Sequence, residues 1–253
     1  TPKERVMNLF HREPVDTMPC FSGMGMVTIQ AINEMGIRFA QVHTSAENLA
    51  RSAKITAELF GFDAVIIPYD MCAVPEALGR GISLYENSED ILYPTVPSKW
   101  KSFDEIEIPD DFLSSGRMPL VDEAFEILKS EIDGNLALGG WVLGPFTMAG
   151  QLIELDLLLK GVRKDKERVD AFLSQMTDLV IKVARPTGKE IKRLAEGAVF
   201  ACILDADENA VRDHAHAVPD PDDRRDRREV AERVPDRQPV AQTVWFAGAA
   251  CMA

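Results

Sequence analysis

The stretch "TSAENLARSAKITAELFGFDAVIIP", Thr44 to Pro68, constrains the chain more than any other. Apolar residues at Leu49, Ala53, Ala57 and Phe60 recur at helical spacing, Thr44 with Glu47 has the form of a capping box, and Gly61 supplies a helix stop. "FDAVIIP" follows at once, short, apolar and rich in branched residues, as suits a strand buried on both faces of a parallel sheet. A helix, a glycine and a buried strand in that order predict an α/β fold.

The same order returns twice. "LVDEAFEILKSEIDG" leads into "NLALGGWVLGPF", and "KEIKRLAEG" leads into "AVFACILD". Between them "KDKERVDAFLSQMTDLVIKVAR" puts Val169, Phe172, Leu173, Met176, Val180 and Val183 on one helical face, with Asp165 as a cap and Pro186 as a stop. That stripe reads as core packing. With "TMPCFSG" near the start, about four parallel strands are expected, ending at Ser22, at Tyr69 and Asp70, at Gly144 to Thr147, and at Asp205. An eight-stranded barrel needs about 250 residues of such units, so residues 1–207 are expected to supply roughly half of one. Half a barrel leaves open sheet edges and an exposed apolar interior, which predicts aggregation or a partner.

Residues 208–253 change composition: lysine stops at Lys192, and Arg, Asp, Pro, Ala and Val dominate without useful periodicity. Two readings fit, a solvated disordered tail or a GC-rich coding sequence read out of frame.

Composition narrows the function classes. A net charge of −13 argues against a nucleic-acid partner, which requires clustered Lys and Arg. No apolar run approaches the roughly 20 residues of a membrane span, and the first residues lack the apolar core of a signal peptide, so a cytoplasmic protein is expected. Cys20, Cys72, Cys202 and Cys251 are scattered, which fits reduced thiols better than a disulfide framework or a zinc knuckle. "GMGMVT" at Gly23 lacks the third glycine of a dinucleotide fingerprint.

Strand ends are where α/β folds place chemistry. Asp70 follows the clearest buried strand, where a carboxylate can serve as a base, hold a cation or bind a donor; capping the next turn is the structural alternative. Glu76, after Pro75, opens "EALG" and reads on its own as a solvated first-turn acid. "GPFTMAGQL" starts a helix whose first turn offers Thr147 to an anion, or else forms a rigid corner. His214 and His216 fall in the atypical tail without a third ligand, and His11 and His43 read as surface or helix-end residues.

"TPKERVMNLFHREPVDTMP", "GFDAVIIPYDMCAVPEALG" and "GPFTMAGQLIELDLLLKGVRKDKERVDAFLSQMTDLVI", in that order, resemble the uroporphyrinogen decarboxylase superfamily. More narrowly they resemble its corrinoid methyltransferase branch, the methylcobamide:coenzyme M and chloromethane-type enzymes. The resemblance implies a TIM (β/α)8 barrel with its site at the C-terminal mouth. The decarboxylases grip substrate carboxylates with an arginine-rich "RQAGR" motif, whereas "PCFSGMGMVTIQ" here has no arginine, and where they carry a tyrosine this chain has Gln151. Asp70 alone is kept from their catalytic set.

The resemblance therefore implies methyl transfer from a methylcobamide carried by a corrinoid protein to a thiol or another acceptor, such as coenzyme M or tetrahydrofolate. Asp70, Glu76, Thr147, Gln151 and Asp205 would surround the mouth. In that branch a zinc ion held by a His-x-Cys pair and a later Cys activates the thiol. No His-x-Cys occurs in this sequence, so no metal ligand is assigned and impaired activity is expected. Uroporphyrinogen decarboxylation and a non-catalytic truncated barrel are the alternatives.

Overall fold

The computed structural model describes residues 1–184 apart from 12, 23, 24, 26 and 133, together with a last strand at Ala198–Phe200. The elements run α1 (Pro2–His11), α2 (Ile29–Met35), α3 (Ala46–Phe60), β1 (Ala64–Ile67), α4 (Ala73–Ala77), α5 (Met118–Glu131), β2 (Ala137–Gly140), α6 (Pro145–Leu152), α7 (Leu155–Lys164), α8 (Lys166–Ala184) and β3 (Ala198–Phe200). Short 3₁₀ turns lie at Phe39–His43, Phe103–Glu105 and Phe112–Ser114. The strands pair in parallel in chain order, Ala64 with Ala137 at the start of one ladder and Leu138 with Ala198 at the start of the next. Sequential parallel strands with helical crossovers are the barrel's building rule.

The expected strand at "TMPCFSG" is not formed among the described residues. Pro19 removes a donor from this segment, which is tied to Asp63 instead: the Asp63 amide donates to the Cys20 carbonyl at 2.8 Å and the Cys20 amide donates to Asp63 Oδ2 at 2.6 Å. Nearby, Gly25 explains part of the glycine pattern: a Cβ there would sit 1.9 Å from the Pro68 carbonyl oxygen, so the N-terminal segment crosses the end of β1 by close backbone approach.

The α3 boundaries follow from local chemistry. Its start lies one residue later than the sequence suggests, because Thr44 completes the preceding 3₁₀ turn and Ser45 is the cap, accepting from the Asn48 amide. Gly61 ends α3 with φ 64°, in the left-handed region where glycine carries no side-chain penalty. Asp165 ends α7 and directly precedes α8, which stops at Ala184, two residues short of Pro186.

Alternation along β1 divides the core. Val65, Ile67 and Tyr69 pack with Leu49, Ala53 and Ala57 of α3 and Ala124 and Leu128 of α5. Ala64 and Ile66 join Met148 and Leu152 of α6 and the predicted stripe of α8, where Val169, Phe172, Leu173, Met176 and Val180 are all buried. A strand buried on both faces is what the unbroken apolar run implied. The α8 stripe is core, with Phe172 set edge-on to Phe103 at 5.2 Å.

Two substitutions separate core from cap. Leu128→Ala, at a fully buried position, is expected to cost about 2–5 kcal/mol; Ser45→Ala, which removes the α3 cap, about 1 kcal/mol. The shift in urea midpoint measures both, and equal shifts would contradict this layering.

Candidate functional site

In a parallel sheet with returning helices, strand C-termini and helix N-termini share one end. Asp70 follows β1, His43 lies just before α3, Arg117 immediately precedes α5, and Glu76 sits in the short α4. The topology therefore delivers all four side chains to the same mouth, although 47 residues separate Asp70 from Arg117.

The four form a closed, mostly buried network. Arg117 donates to Asp70 from both terminal nitrogens, Nη1 to Oδ2 at 2.8 Å and Nη2 to Oδ1 at 3.2 Å, and its Nε donates to Glu76 Oε2 at 2.6 Å. His43 Nδ1 lies 3.1 Å from Asp70 Oδ2, and the Cys72 amide donates to Oδ1 at 2.7 Å. Asp70 thus realises the turn-capping alternative at one oxygen while anchoring the ion pair with both. A planar guanidinium suits this two-sided grip, since its donors form a fixed fork.

Electrostatics follow from the geometry. Burial alone would raise the Asp70 carboxyl, but hydrogen bonds from His43 and Arg117, with the guanidinium charge, hold it far below the usual carboxylate range. Burial would lower Arg117, and the Asp70 and Glu76 carboxylates raise it instead. The Cys72 thiol is pushed up to about 12, chiefly by burial and then by the Asp70 charge, and it donates to the Pro94 carbonyl at 3.1 Å. The neighbouring Tyr69 hydroxyl, raised by burial, donates to the Leu49 carbonyl at 3.4 Å, on the α3 side.

Each residue singled out in the sequence has a definite place. Asp70 is the buried centre of the network. Glu76 is not the solvated acid its turn position suggested: it is half-buried and paired with Arg117, and α4 begins at Ala73 because Cys72 is fixed by Asp70. Thr147 and Gln151 both lie on α6, Thr147 exposed and Gln151 half-buried, and neither is hydrogen-bonded to the Asp70 network. Asp205, Cys202, His214, His216 and the tail from 208 lie outside the described residues. His43 corrects the surface reading: its side chain is 1% exposed, because Asp70 draws the imidazole inward and Phe39 packs edge-on against it at 5.0 Å. Arg117 was missed altogether. A histidine and an arginine each placed just before a predicted helix in an α/β chain are the signals that point to this end of the sheet.

Zinc does not fit these residues. Among those described, no group of three or more His, Cys, Asp or Glu side chains is arranged to hold a metal, and the cluster's two carboxylates are committed to Arg117.

The buried carboxylate makes stability acid-sensitive. Its folded-state acidity is lowered, so its contribution is complete above the ordinary aspartate range, about pH 4, and is lost as pH falls further. Thermal melts from pH 6 down to pH 2 are expected to fall more steeply for the parent than for Asp70→Asn, which cannot titrate there. Parallel curves would contradict the assignment. Alkylation by iodoacetamide at pH 8, mapped by mass spectrometry, is expected to modify exposed Cys20 and to spare Cys72, which is buried and protonated.

Comparison with known proteins places this arrangement. The family profile for uroporphyrinogen decarboxylase (URO-D) matches residues 1–215. A methylcobamide:CoM methyltransferase, MtbA of Methanosarcina mazei, is 30% identical over 189 residues, covering 73% of this chain and 54% of that protein. MtaA of Methanosarcina barkeri, another methylcobamide:CoM methyltransferase, is 28% identical over 184 residues with the same coverages. A uroporphyrinogen decarboxylase of Alkalilimnicola ehrlichii is 24% identical over 212 residues, 80% of this chain and 56% of that one. Among solved structures, a methyltransferase from Methanosarcina mazei superposes with TM-score 0.67 at 27% identity, covering 73% of this chain and 54% of that one. The chain spans about half the length of the curated relatives it matches. Its match is to the N-terminal part of a TIM-barrel fold, and no described helix is long and apolar enough to cross a membrane. The chain belongs to the uroporphyrinogen decarboxylase family.

Proposed function

We propose that the chain provides the N-terminal wall of a corrinoid-dependent methyltransferase site, in which a methyl group passes from the methylcobamide of a partner corrinoid protein to a small thiol such as coenzyme M. Support comes first from the relatives, whose better matches are methylcobamide:CoM methyltransferases. The observation that carries the choice of substrate is the state of Arg117. All three of its nitrogens donate to carboxylates of the chain itself, and the N-terminal segment from Pro19 to Gln30 holds no arginine. A porphyrinogen brings several carboxylates that need cationic partners, and in this network each nitrogen of the guanidinium is already engaged by a carboxylate of the chain. A small thiol such as coenzyme M brings a single sulfonate and makes a smaller demand.

Within this reading Asp70 is a positioning residue. It fixes Arg117, Glu76, His43 and the start of α4, and leaves contact with the acceptor to groups around it. Thr147 and Gln151 of α6 would line a neighbouring stretch of the mouth, and Asp205, outside the described residues, is assigned to it from the family resemblance alone. The zinc chemistry of the branch is assigned to no residue here, and turnover well below that of full-length relatives is expected.

Incubating the full chain with a methylated corrinoid protein and coenzyme M, with the S-methyl product followed by mass spectrometry, tests the proposal. Product above the chain-free control is expected. Carbon dioxide release from uroporphyrinogen under the same conditions, without methyl transfer, would replace this reading with decarboxylation.

A further inference from the structure

Between α4 and α5 the chain makes a long excursion, and its residues 83–95 form a lobe beside the Asp70 cluster. Ser83 and Thr95 close the base, the Ser83 amide donating to the Thr95 carbonyl at 2.9 Å and the Thr95 amide to the Ser83 carbonyl at 3.1 Å. The Tyr85 hydroxyl shares a further 2.7 Å hydrogen bond with Thr95 Oγ1. The returning limb is fixed to the cluster itself. The Cys72 thiol donates to the Pro94 carbonyl, and Tyr93 packs edge-on against Phe39 at 4.9 Å, its ring centre 6.2 Å from that of His43. The lobe therefore stands at the end of the sheet where this fold keeps its chemistry.

These ties do not bury it. Tyr85, Ile91, Leu92 and Tyr93, four large apolar side chains within nine residues, are each between 38% and 50% exposed. Tyr85 takes φ 55°, a left-handed backbone that favours glycine, and is held there by its bond to Thr95. A single exposed apolar side chain is ordinary, whereas a group of them marks an interaction surface, and tyrosine is among the residues that anchor such surfaces.

Charge decides the occupant. Glu86, Glu89 and Asp90 lie between the apolar residues, and no Lys or Arg occurs from 84 to 98. Arg38 stands 3.8 Å from Glu89, while Glu86 and Asp90 have no ion-pair partner among the described residues. An acidic rim repels nucleic acid and anionic lipid, and the same lobe of a second copy would set carboxylates against carboxylates. What fits is a protein face with an apolar centre and a rim of Lys and Arg.

We propose that the 83–95 lobe is the docking surface for the corrinoid protein, whose matching face is apolar with a basic rim. This rests on the methyl-transfer reading above, in which the methyl donor arrives on a partner that must reach this end of the sheet. The apolar side chains hold the complex. The acids steer its approach, so association slows as salt rises.

Hydrogen–deuterium exchange on the full chain, read by mass spectrometry, tests the surface without a variant. A methylated corrinoid protein is expected to protect residues 85–93. Complete protection in the free chain would put another part of the chain over the lobe, and protection that rises with chain concentration alone would put a second copy there; either result overturns the proposal. In biolayer interferometry, Ile91→Ser combined with Leu92→Ser is expected to weaken binding of the corrinoid protein about tenfold. Glu86→Lys combined with Asp90→Lys is expected to slow association and flatten its salt dependence. Both double variants are expected to methylate coenzyme M from free methylcobalamin at the parent's rate, because that donor needs no docking. A parent that binds with 85–93 unprotected, or variants that bind as the parent does, would overturn the proposal and leave the methyl-transfer reading standing. A parent that uses free methylcobalamin but binds no corrinoid protein loses the docking surface alone. One that does neither loses both.

Discussion

The buried contact between Asp70 and Arg117 orders this end of the molecule. Desolvating two opposite charges costs several kcal/mol each, and is offset only where geometry is good and the remaining donors and acceptors are satisfied. Here that condition is met by parts of the chain far apart in sequence: the residue before α5 supplies the guanidinium, the turn before α3 the imidazole, and the turn after β1 an amide. None of these segments has a regular ladder to hold it. The carboxylate gives them a common partner, and Glu76 completes the arrangement by meeting the Arg117 nitrogen that faces away from Asp70.

This dependence explains which features were legible in the sequence. Helix α3, strands β1 and β2 and the α8 stripe all announce themselves through periodicity, because each buries a face against neighbours whose identity does not matter. The expected first strand fails for the same reason in reverse: "TMPCFSG" reads as a buried run, but Pro19 takes a donor out of any ladder, and the segment is held by its bonds to Asp63 instead. The cap of α3 moved by one residue because a 3₁₀ turn before it used Thr44, a competition that a pattern of caps does not reveal.

Two of the cluster's four members, Asp70 and Glu76, were singled out in the sequence. Position after a buried strand picked out Asp70, and the structure puts it at the centre of the cluster. The other two members carry no local signal. His43 sits in "FAQVHT" and Arg117 in "SSGRMP", neither with a period nor a motif, and the distances that matter, 27 and 47 residues along the chain, are set by topology. What could have found them is the α/β rule itself. Once helices α3 and α5 are placed, the residues just before them must stand beside the residues just after β1, and a His, an Arg and an Asp there make an ion-pair network the economical expectation.

The network also separates two roles that a strand-end carboxylate is often asked to combine. A carboxylate that binds substrate must keep a lone pair free and accept some desolvation cost before the substrate arrives. One that is fully paired is rigid and spends nothing on waiting, but it can act only through whatever it holds. Asp70 is of the second kind, since four donors, acting against burial, leave it ionised and occupied. Its influence on its surroundings passes through the side chains it holds, of which His43 keeps a buried ring nitrogen without a hydrogen-bond partner among the described residues. The charge of Asp70 has drawn the Arg117 guanidinium, the His43 imidazole and the Cys72 amide inward together.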